Sequence, residues 1–353
     1  MTIELPHWSE HAEVPTLGPV PNPPPKLAVV MPALNEEQTV GAVVAAVPRR
    51  ILGIGEVEVI VVDDGSTDAT RDVALEAGAD RIIAHRRNRG LVACFNHGVA
   101  LALARGADVV VHLDADGQHD PSFIPKLVGP VLAGDADLVV GVRPLADPDT
   151  GTFVRRHGNR LASWLFRRTF KVQVRDVTSG YRAFSREALL QLNVVSDYTY
   201  TLESLIQAAR KRLAVGEVAI PSRQRAFGQS RVTHSVRRYI GATGGQAMRT
   251  TLHTHPLAVF GRAAALMFAA TVGCTAWFLA GYANGGMHLP ALLASVLTLV
   301  LSVSFFISGL IADGVNSNRR LLEDALYRIK RLEAQGEGLS RGDLGGVERI
   351  TLQ

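Results

Sequence analysis

Five short apolar runs recur along the first 220 residues, at 27–31, 57–62, 81–84, 109–113 and 138–141, separated by Ala-rich amphipathic stretches at 38–47, 68–77 and 91–104. Strand and helix in series predict an α/β architecture, a mostly parallel central sheet with helices on both faces. Val59, Ile60, Val61 and Val62 are apolar without alternation, as a strand covered on both sides requires. Ligands of such sheets sit beyond the carboxyl ends of the strands. Two of the runs end in acids at that edge, in VEVIVVDDGSTD over 57–68 and DVVVHLDADGQHDP over 108–121.

The last third has a different character. Residues 263–282 and 289–312 contain no charged side chain. As helices they span roughly 30 Å and roughly 36 Å, each enough to cross a bilayer. The connector, 283–288, has no Lys or Arg, whereas Arg249 and Arg262 precede the first stretch and Arg319, Arg320, Arg328 and Lys330 follow the second. Positive charge is retained on the inner side, which predicts that both flanks and both termini are cytoplasmic. Residues 232–256 are expected to form an amphipathic juxtamembrane segment on the anionic lipid surface. Apolar positions in 319–333 predict a further amphipathic helix, and the last 20 residues read as loose. The N-terminal 25 residues hold seven prolines and no apolar core of a signal peptide, so they read as an extended lead-in. The predicted division is therefore a lead-in over 1–25, a catalytic domain over 26–231, a juxtamembrane segment over 232–256, a helical hairpin over 257–313 and a cytoplasmic helix and tail over 314–353.

A chain of 353 residues with 47% hydrophobic and 20% charged residues is not disordered as a whole. Its net charge of +4 is carried mainly by arginine, whose fork suits phosphate oxygens. Cys94 and Cys274 supply neither a disulfide framework nor a zinc site, and a reducing compartment is compatible with them. There is no G-x-G-x-x-G after the first strand and no G-x-x-x-x-G-K-[ST] anywhere. Dinucleotide binding of the dehydrogenase kind and a P-loop are thereby disfavoured.

Asp114 and Asp116 stand two residues apart, and in an extended backbone they would point to one side. Two such carboxylates can share a divalent cation, with Gln118 adding a neutral oxygen. Hard oxygen donors without His or Cys favour Mg2+ or Mn2+ over zinc, and so few protein ligands leave room for phosphate oxygens and water. Asp63 and Asp64 end another strand. Ser66 or Asp68 can cap a helix starting near Ala69, while a carboxylate there can also accept from a base N–H or from ribose hydroxyls.

The motifs MPALNEE, VVDDGSTD, NRGLVACFNHG, LDADGQHDP, DVTSGYRAF and RAFGQSR follow one another between residues 27 and 231. In that order they resemble glycosyltransferase family 2, with its GT-A nucleotide-sugar-binding fold. The subgroup they look like is the polyprenyl-phosphate sugar synthases, some of which carry two C-terminal spans. The resemblance implies that Pro32, Leu34 and Glu36 border the nucleoside, although tyrosine is frequent where Leu34 stands. It implies that Asp63 and Asp64 read base and ribose, that Asp114, Asp116 and Gln118 hold the metal, and that Ala115 lies against the donor. Asp116 and Arg143 would be catalytic, with Arg143 facing the phosphates. Arg155 and Asn159 would contact the acceptor phosphate, as would the mobile-loop pair Arg225 and Arg231. Ser is common at the position of Asn159, and Lys at that of Arg231. Ser179, Gly180 and Arg182 would shape the sugar pocket.

The implied reaction is metal-dependent, inverting transfer of a hexose from a UDP- or GDP-sugar to polyprenyl phosphate, dolichyl or undecaprenyl. A lipid-linked oligosaccharide or polysaccharide is the alternative acceptor. The expected partners are the nucleotide sugar, the lipid phosphate, membrane lipids and a second copy of the chain, with no nucleic acid. A phosphate monoester has its second pKa near ~6 and is mostly dianionic at neutral pH, so it needs cations to steer it more than a base. The four arginines are candidates for that clamp. Tethering the catalytic part to the bilayer makes the encounter with a long-tailed acceptor a local search.

Overall fold

The computed structural model describes residues 23–143, 174–195, 200–221, 256–285, 288–336 and 348–352. They fall into two compact units, Met1–Val236 with Tyr327–Gln353, and Arg237–Leu326.

The first unit is built on one sheet. Strands β1 (Lys26–Ala33), β2 (Glu56–Asp63), β3 (Arg81–His85), β4 (Val109–His112), β5 (Leu138–Val142), β6 (Arg182–Ser185), β7 (Val215–Ala219) and β8 (Glu348–Leu352) lie in the order β7-β5-β6-β4-β1-β2-β3-β8. All neighbours are parallel except β6, which runs antiparallel to both β4 and β5. Helices α1 (Val40–Ala45), α2 (Thr70–Glu76), α3 (Leu91–Ala104), α4 (Ile124–Leu132), α5 (Arg186–Gln191) and α6 (Tyr200–Lys211) cover it.

Alternation explains why β1 is apolar on both faces from Leu27 to Met31. In β1, Ala28 and Val30 join the core under α3 and α6, while Leu27, Val29, Met31 and Ala33 join the one under α1 and α4. Both faces are dry there, so apolar residues serve at both parities along Leu27–Met31.

Helix α3 approaches the sheet closely because residue 98 is glycine. A methyl there would stand 2.3 Å from Val30 Cγ1 and 3.1 Å from Val62 Cγ2. Gly98→Ala is therefore expected to lower stability by about 1–3 kcal/mol through overpacking, against the gain of about 1 kcal/mol that alanine brings to a helix. A thermal melt of the detergent-solubilised protein reads the sign. A raised midpoint would mean that α3 shifts outward freely.

The second unit contains helix α7 (Pro256–Ala283) and most of α8 (Leu289–Gly336). Both are long and apolar enough to cross a membrane. They meet along a seam of small and hydroxylated residues. Thr271 Oγ1 donates to Thr298 Oγ1 at 2.9 Å, Ser302 Oγ donates to the Ala264 carbonyl at 2.9 Å, and Ala264, Ala291, Ser295 and Ser302 are buried. Leu266, Phe268, Trp277, Leu279, Leu293, Leu297, Phe306 and Ile307 face outward. A greasy exterior over a polar seam is the arrangement that lipid, not water, stabilises.

Three expectations need correction. The helix anticipated over 319–333 is not separate: α8 runs 48 residues without a break, about 72 Å at the rise of an α-helix. Good helix formers and alternating charge in 319–333 leave nothing to end it. Its last turns belong to the first unit, where Tyr327 Oη donates to Glu187 at 3.0 Å, Lys330 Nζ to the Leu192 carbonyl at 2.8 Å, and Arg186 Nη2 to the Ala334 carbonyl at 3.1 Å. The final residues are not all loose, because Glu348–Leu352 pairs in parallel with β3 and covers that edge strand. Finally, β6 and β7 add to the five strands anticipated.

Candidate active site

Strand direction gathers the predicted residues at one edge. The register pairs Ala33 with Asp63 and Val30 with His112, so β1, β2 and β4 all end there. The chain stays tied just past those ends: Asp64 N donates to the Ala33 carbonyl at 2.8 Å, and Leu113 N to the Val30 carbonyl at 3.0 Å. Because β6 is antiparallel, its start, Arg182, faces His112 at the end of β4, which brings 176–181 to the same rim. Strand β5 ends at Val142, so Arg143 emerges there too. From β2 to β5 is four strand spacings, about 19 Å.

Asp114 and Asp116 do not stand on an extended strand. Strand β4 stops at His112 and residues 115–116 are in a turn, so alternation along a strand does not relate the two carboxylates. Gly117 makes the turn possible with φ of +72°. Asp116 is buried and its Oδ1 accepts from Gln118 N at 3.0 Å, whereas Asp114 and Gln118 are half-buried. Gly180 packs against this acid: an added methyl would lie 3.0 Å from Asp114 Oδ2 and 3.0 Å from the Tyr200 hydroxyl. Ala115 is buried beside them.

Three buried polar atoms at this rim, His112 Nε2, His119 Nδ1 and Ser179 Oγ, have no hydrogen-bond partner among the described residues. Burial of such groups is costly unless something satisfies them. Burial, and then Arg143 nearby, push His119 down to about 4, while Asp116 and Asp176 oppose the shift. Two carboxylates, an amide oxygen and unsatisfied polar atoms fit a hard divalent cation bound together with a phosphate-bearing ligand.

The loops after β1 and β2 are laced together. Asn35 N donates to Ser66 Oγ at 2.8 Å, Glu36 N to Thr70 Oγ1 at 2.9 Å, Thr67 N to Asn35 Oδ1 at 2.9 Å and Ala69 N to Glu37 at 3.0 Å. Asp68 Oδ1 accepts from Thr70 N at 3.1 Å, at the first turn of α2, while Ser66 is engaged with Asn35 instead. Pro32 is part of β1, and Leu34 and Glu36 lie in the loop beyond it. Asp63 is enclosed, pairing with Arg71 and accepting from Ser66 N at 3.1 Å. Asp64 accepts from Arg89 N at 2.8 Å, Gly90 N at 2.9 Å and His85 Nδ1 at 2.8 Å. Gly65, with φ of +82°, approaches so closely that a methyl would stand 2.8 Å from the Arg87 carbonyl carbon.

Arg143 is held by neighbours that sequence reasoning did not single out. Its Nε meets Asp176 Oδ2 at 2.6 Å and its Nη2 donates to Thr178 Oγ1 at 2.9 Å. Burial would lower its pKa, but the Asp176 carboxylate reverses that and raises it. Arg182 is wholly buried. Its Nε donates to the Ser179 carbonyl at 2.8 Å, Nη1 to the Thr201 carbonyl at 2.6 Å and to Ser204 Oγ at 2.8 Å, and Nη2 to the Val177 carbonyl at 3.0 Å. It pins the 177–180 loop from behind. The Tyr200 hydroxyl lies 2.8 Å from His112 Nδ1 and 2.9 Å from the Gly180 carbonyl, and burial pushes His112 down to about 3. Arg155, Asn159, Arg225 and Arg231 lie outside the described residues.

Among the described residues, one group of three His, Cys, Asp or Glu side chains brings its ligand atoms within 4.8 Å of one another: Asp64, His85 and Cys94. Sequence reasoning had passed over His85 and had weighed Cys94 only as a disulfide or zinc ligand. The signal for His85 was its place, a polar residue directly after an apolar run, as at Asp63 and Asp114.

Residues 28–192 match the model of glycosyl transferase family 2. An uncharacterized glycosyltransferase of Mycobacterium tuberculosis is 36% identical over 212 residues, 60% of this chain and 91% of that protein. The polyprenol monophosphomannose synthase of Mycolicibacterium smegmatis is 33% identical over 224 residues, 60% of this chain and 83% of that protein. The dolichyl-phosphate hexose transferase of Haloferax volcanii is 35% identical over 204 residues, 57% of this chain and 84% of that protein. Among solved structures, the glucosyl-3-phosphoglycerate synthase of M. tuberculosis, in complex with Mn2+, UDP and glucosyl-3-phosphoglycerate, superposes with a TM-score of 0.52 at 26% identity, over 70% of this chain and 86% of that one.

Proposed function

The chain belongs to glycosyltransferase family 2, and on that premise we propose that it transfers a hexose from a nucleoside diphosphate sugar to a polyprenyl phosphate at the cytoplasmic face of a membrane, inverting the anomeric centre. One observation carries the reading. Acids from the ends of β2 and β4 and the Arg143–Asp176 pair gather at one sheet edge, in a chain that also has two membrane-length apolar helices. The M. smegmatis and H. volcanii relatives, named for polyprenol and dolichyl phosphate, support the acceptor class, and the UDP and Mn2+ of the solved neighbour support the donor class.

The residues divide the work. The laced loops over 32–37 and 64–70 shape the nucleoside end, and Asp64 stiffens it by tying β2 to the start of α3. Asp114, Asp116 and Gln118 would hold Mg2+ or Mn2+, which when bound screens the diphosphate and the charge left on the departing nucleotide. The Gly180 backbone and Ser179 floor the sugar site, kept in place by Arg182. Arg143, locked by Asp176 and Thr178, offers a fixed positive charge to the incoming phosphate. Arg155, Asn159, Arg225 and Arg231 complete the acceptor clamp on the strength of their motif positions. A lipid phosphate dianion attacks directly, and one displacement inverts the carbon.

Membranes containing the protein, polyprenyl phosphate, Mn2+ and labelled UDP- or GDP-hexoses test the proposal. Label is expected in a lipid product that forms only when polyprenyl phosphate is added and vanishes with a chelator. Absence of lipid product with every common donor would refute it. A lipid-linked saccharide product that polyprenyl phosphate does not compete away would favour the oligosaccharide acceptor instead.

A further inference from the structure

Strand β3 ends on His85, whose imidazole is enclosed by the fold. The register pairs Asp63 with Ala84, so Asp64 and His85 leave the sheet side by side. His85 Nδ1 lies 2.8 Å from Asp64 Oδ1, and its Nε2 lies 2.8 Å from Nδ1 of His97 on α3. A carboxylate only accepts, so the proton between Asp64 and His85 sits on His85 Nδ1. One hydrogen bond then joins His85 Nε2 to His97 Nδ1, donated by whichever of the two nitrogens carries the proton. Burial first, and then His85 beside it, lower the pKa of His97 and keep it neutral, with Asp64 opposing. The two rings meet edge to face with centroids 5.0 Å apart.

The chain of bonds has a clear end. The Asp64 carboxylate takes the backbone N–H groups of Arg89 and Gly90, the residues immediately before α3. His97 sits on α3 itself, so β2, β3 and α3 are closed into one hydrogen-bonded ring at the rim. Cys94 lies close enough to make a metal site conceivable, but Asp64 and His85 are already bonded to each other. Burial, reinforced by Asp64, also raises the Cys94 pKa, which keeps it a thiol and not a metal-binding thiolate.

We propose that His85, backed by His97, is a positioning residue for the donor site: it fixes the Asp64 carboxylate, and through it the turn that opens α3, against the nucleoside. The proposal rests on the nucleotide-sugar reading above. Rigid support behind a binding group is what second-layer hydrogen bonds contribute in general.

His85 is buried and its substitution risks the fold, so the decisive variants are at half-buried His97. His97→Leu removes the hydrogen-bond partner of His85, and His97→Asn places an amide, able to donate or accept, where Nδ1 stood. In full-length protein, nucleoside diphosphate affinity by calorimetry and steady-state kinetics with the preferred donor are compared. His97→Leu is expected to raise donor KM and nucleotide Kd about tenfold, with kcat moving less than about threefold and acceptor KM unchanged. His97→Asn is expected to recover most of that loss. Equal loss in both variants would mean that ring volume matters and the hydrogen bond does not, which overturns the proposal, as would unchanged nucleotide affinity in His97→Leu. A wild-type protein that binds no nucleoside diphosphate would instead sink the functional reading, and with it this proposal, before any variant is compared.

Discussion

Asp116→Ala is expected to lower transfer on the order of 10³-fold or more while the protein remains folded, because it removes a buried carboxylate from the proposed cation and diphosphate site. Asp116 also shapes its own turn by accepting from Gln118 N at 3.0 Å, so loss of activity alone would not separate charge from geometry. Asp116→Asn does. Its amide oxygen can still accept that bond, but the negative charge is gone. Both variants should be inactive, both should lose Mn2+ binding by calorimetry, and Asp116→Asn should melt close to the wild type. If Asp116→Asn kept more than about a tenth of the activity, a loss far smaller than removal of a key charge-stabilising group produces, the carboxylate would be a turn-former and the cation assignment would be wrong.

Much of the fold was legible in the sequence for a physical reason. A strand dry on both faces is built around an apolar run, and β1 to β5 each contain one. Helix α3 matched at both ends, since Gly90 precedes it and Arg105–Gly106 follow. Strand β6 was hidden because Arg182-Ala-Phe-Ser185 has only two apolar residues and owes its extension to pairing with β4 and β5. Strand β7 contains Gly216 and Glu217, and β8 lies far along the chain from the strand it joins. At the site, residue types could be read but spacing could not. Alternation assumed that β4 continued through Asp116, whereas the turn at Gly117 decides how Asp114 and Asp116 relate. The Asp64–His85–His97 ring depends on the β2–β3 register and on how α3 is rotated over the sheet. Neither is local, so no motif announces it. Arg182 shows the opposite case. Its motif was recognisable, but only packing reveals that its guanidinium points into the protein.

That inward arginine carries the largest expected effect on stability. Arg182 is the first residue of β6, and its guanidinium reaches the carbonyls of Val177, Ser179 and Thr201 and the hydroxyl of Ser204. It therefore stitches the loop over 177–180 to the first turns of α6. Arg182→Met fills a similar volume but donates nothing, leaving those acceptors buried. At ~1–3 kcal/mol for each group left unsatisfied, and allowing for relaxation, a loss of about 4 kcal/mol is expected. That is a large share of the ~5–15 kcal/mol by which a typical domain is stable. Arg182→Lys keeps the charge, but a single ammonium cannot span partners on three sides of a planar fork, so it should recover less than half of the loss. Thermal or denaturant melts of the three proteins give the ranking. Since Gly180 backs onto Asp114, Arg182→Lys should also lose affinity for Mn2+ even at temperatures where it is fully folded. A Lys variant as stable as the wild type would show that the charge at this position matters and that its fan of donors does not.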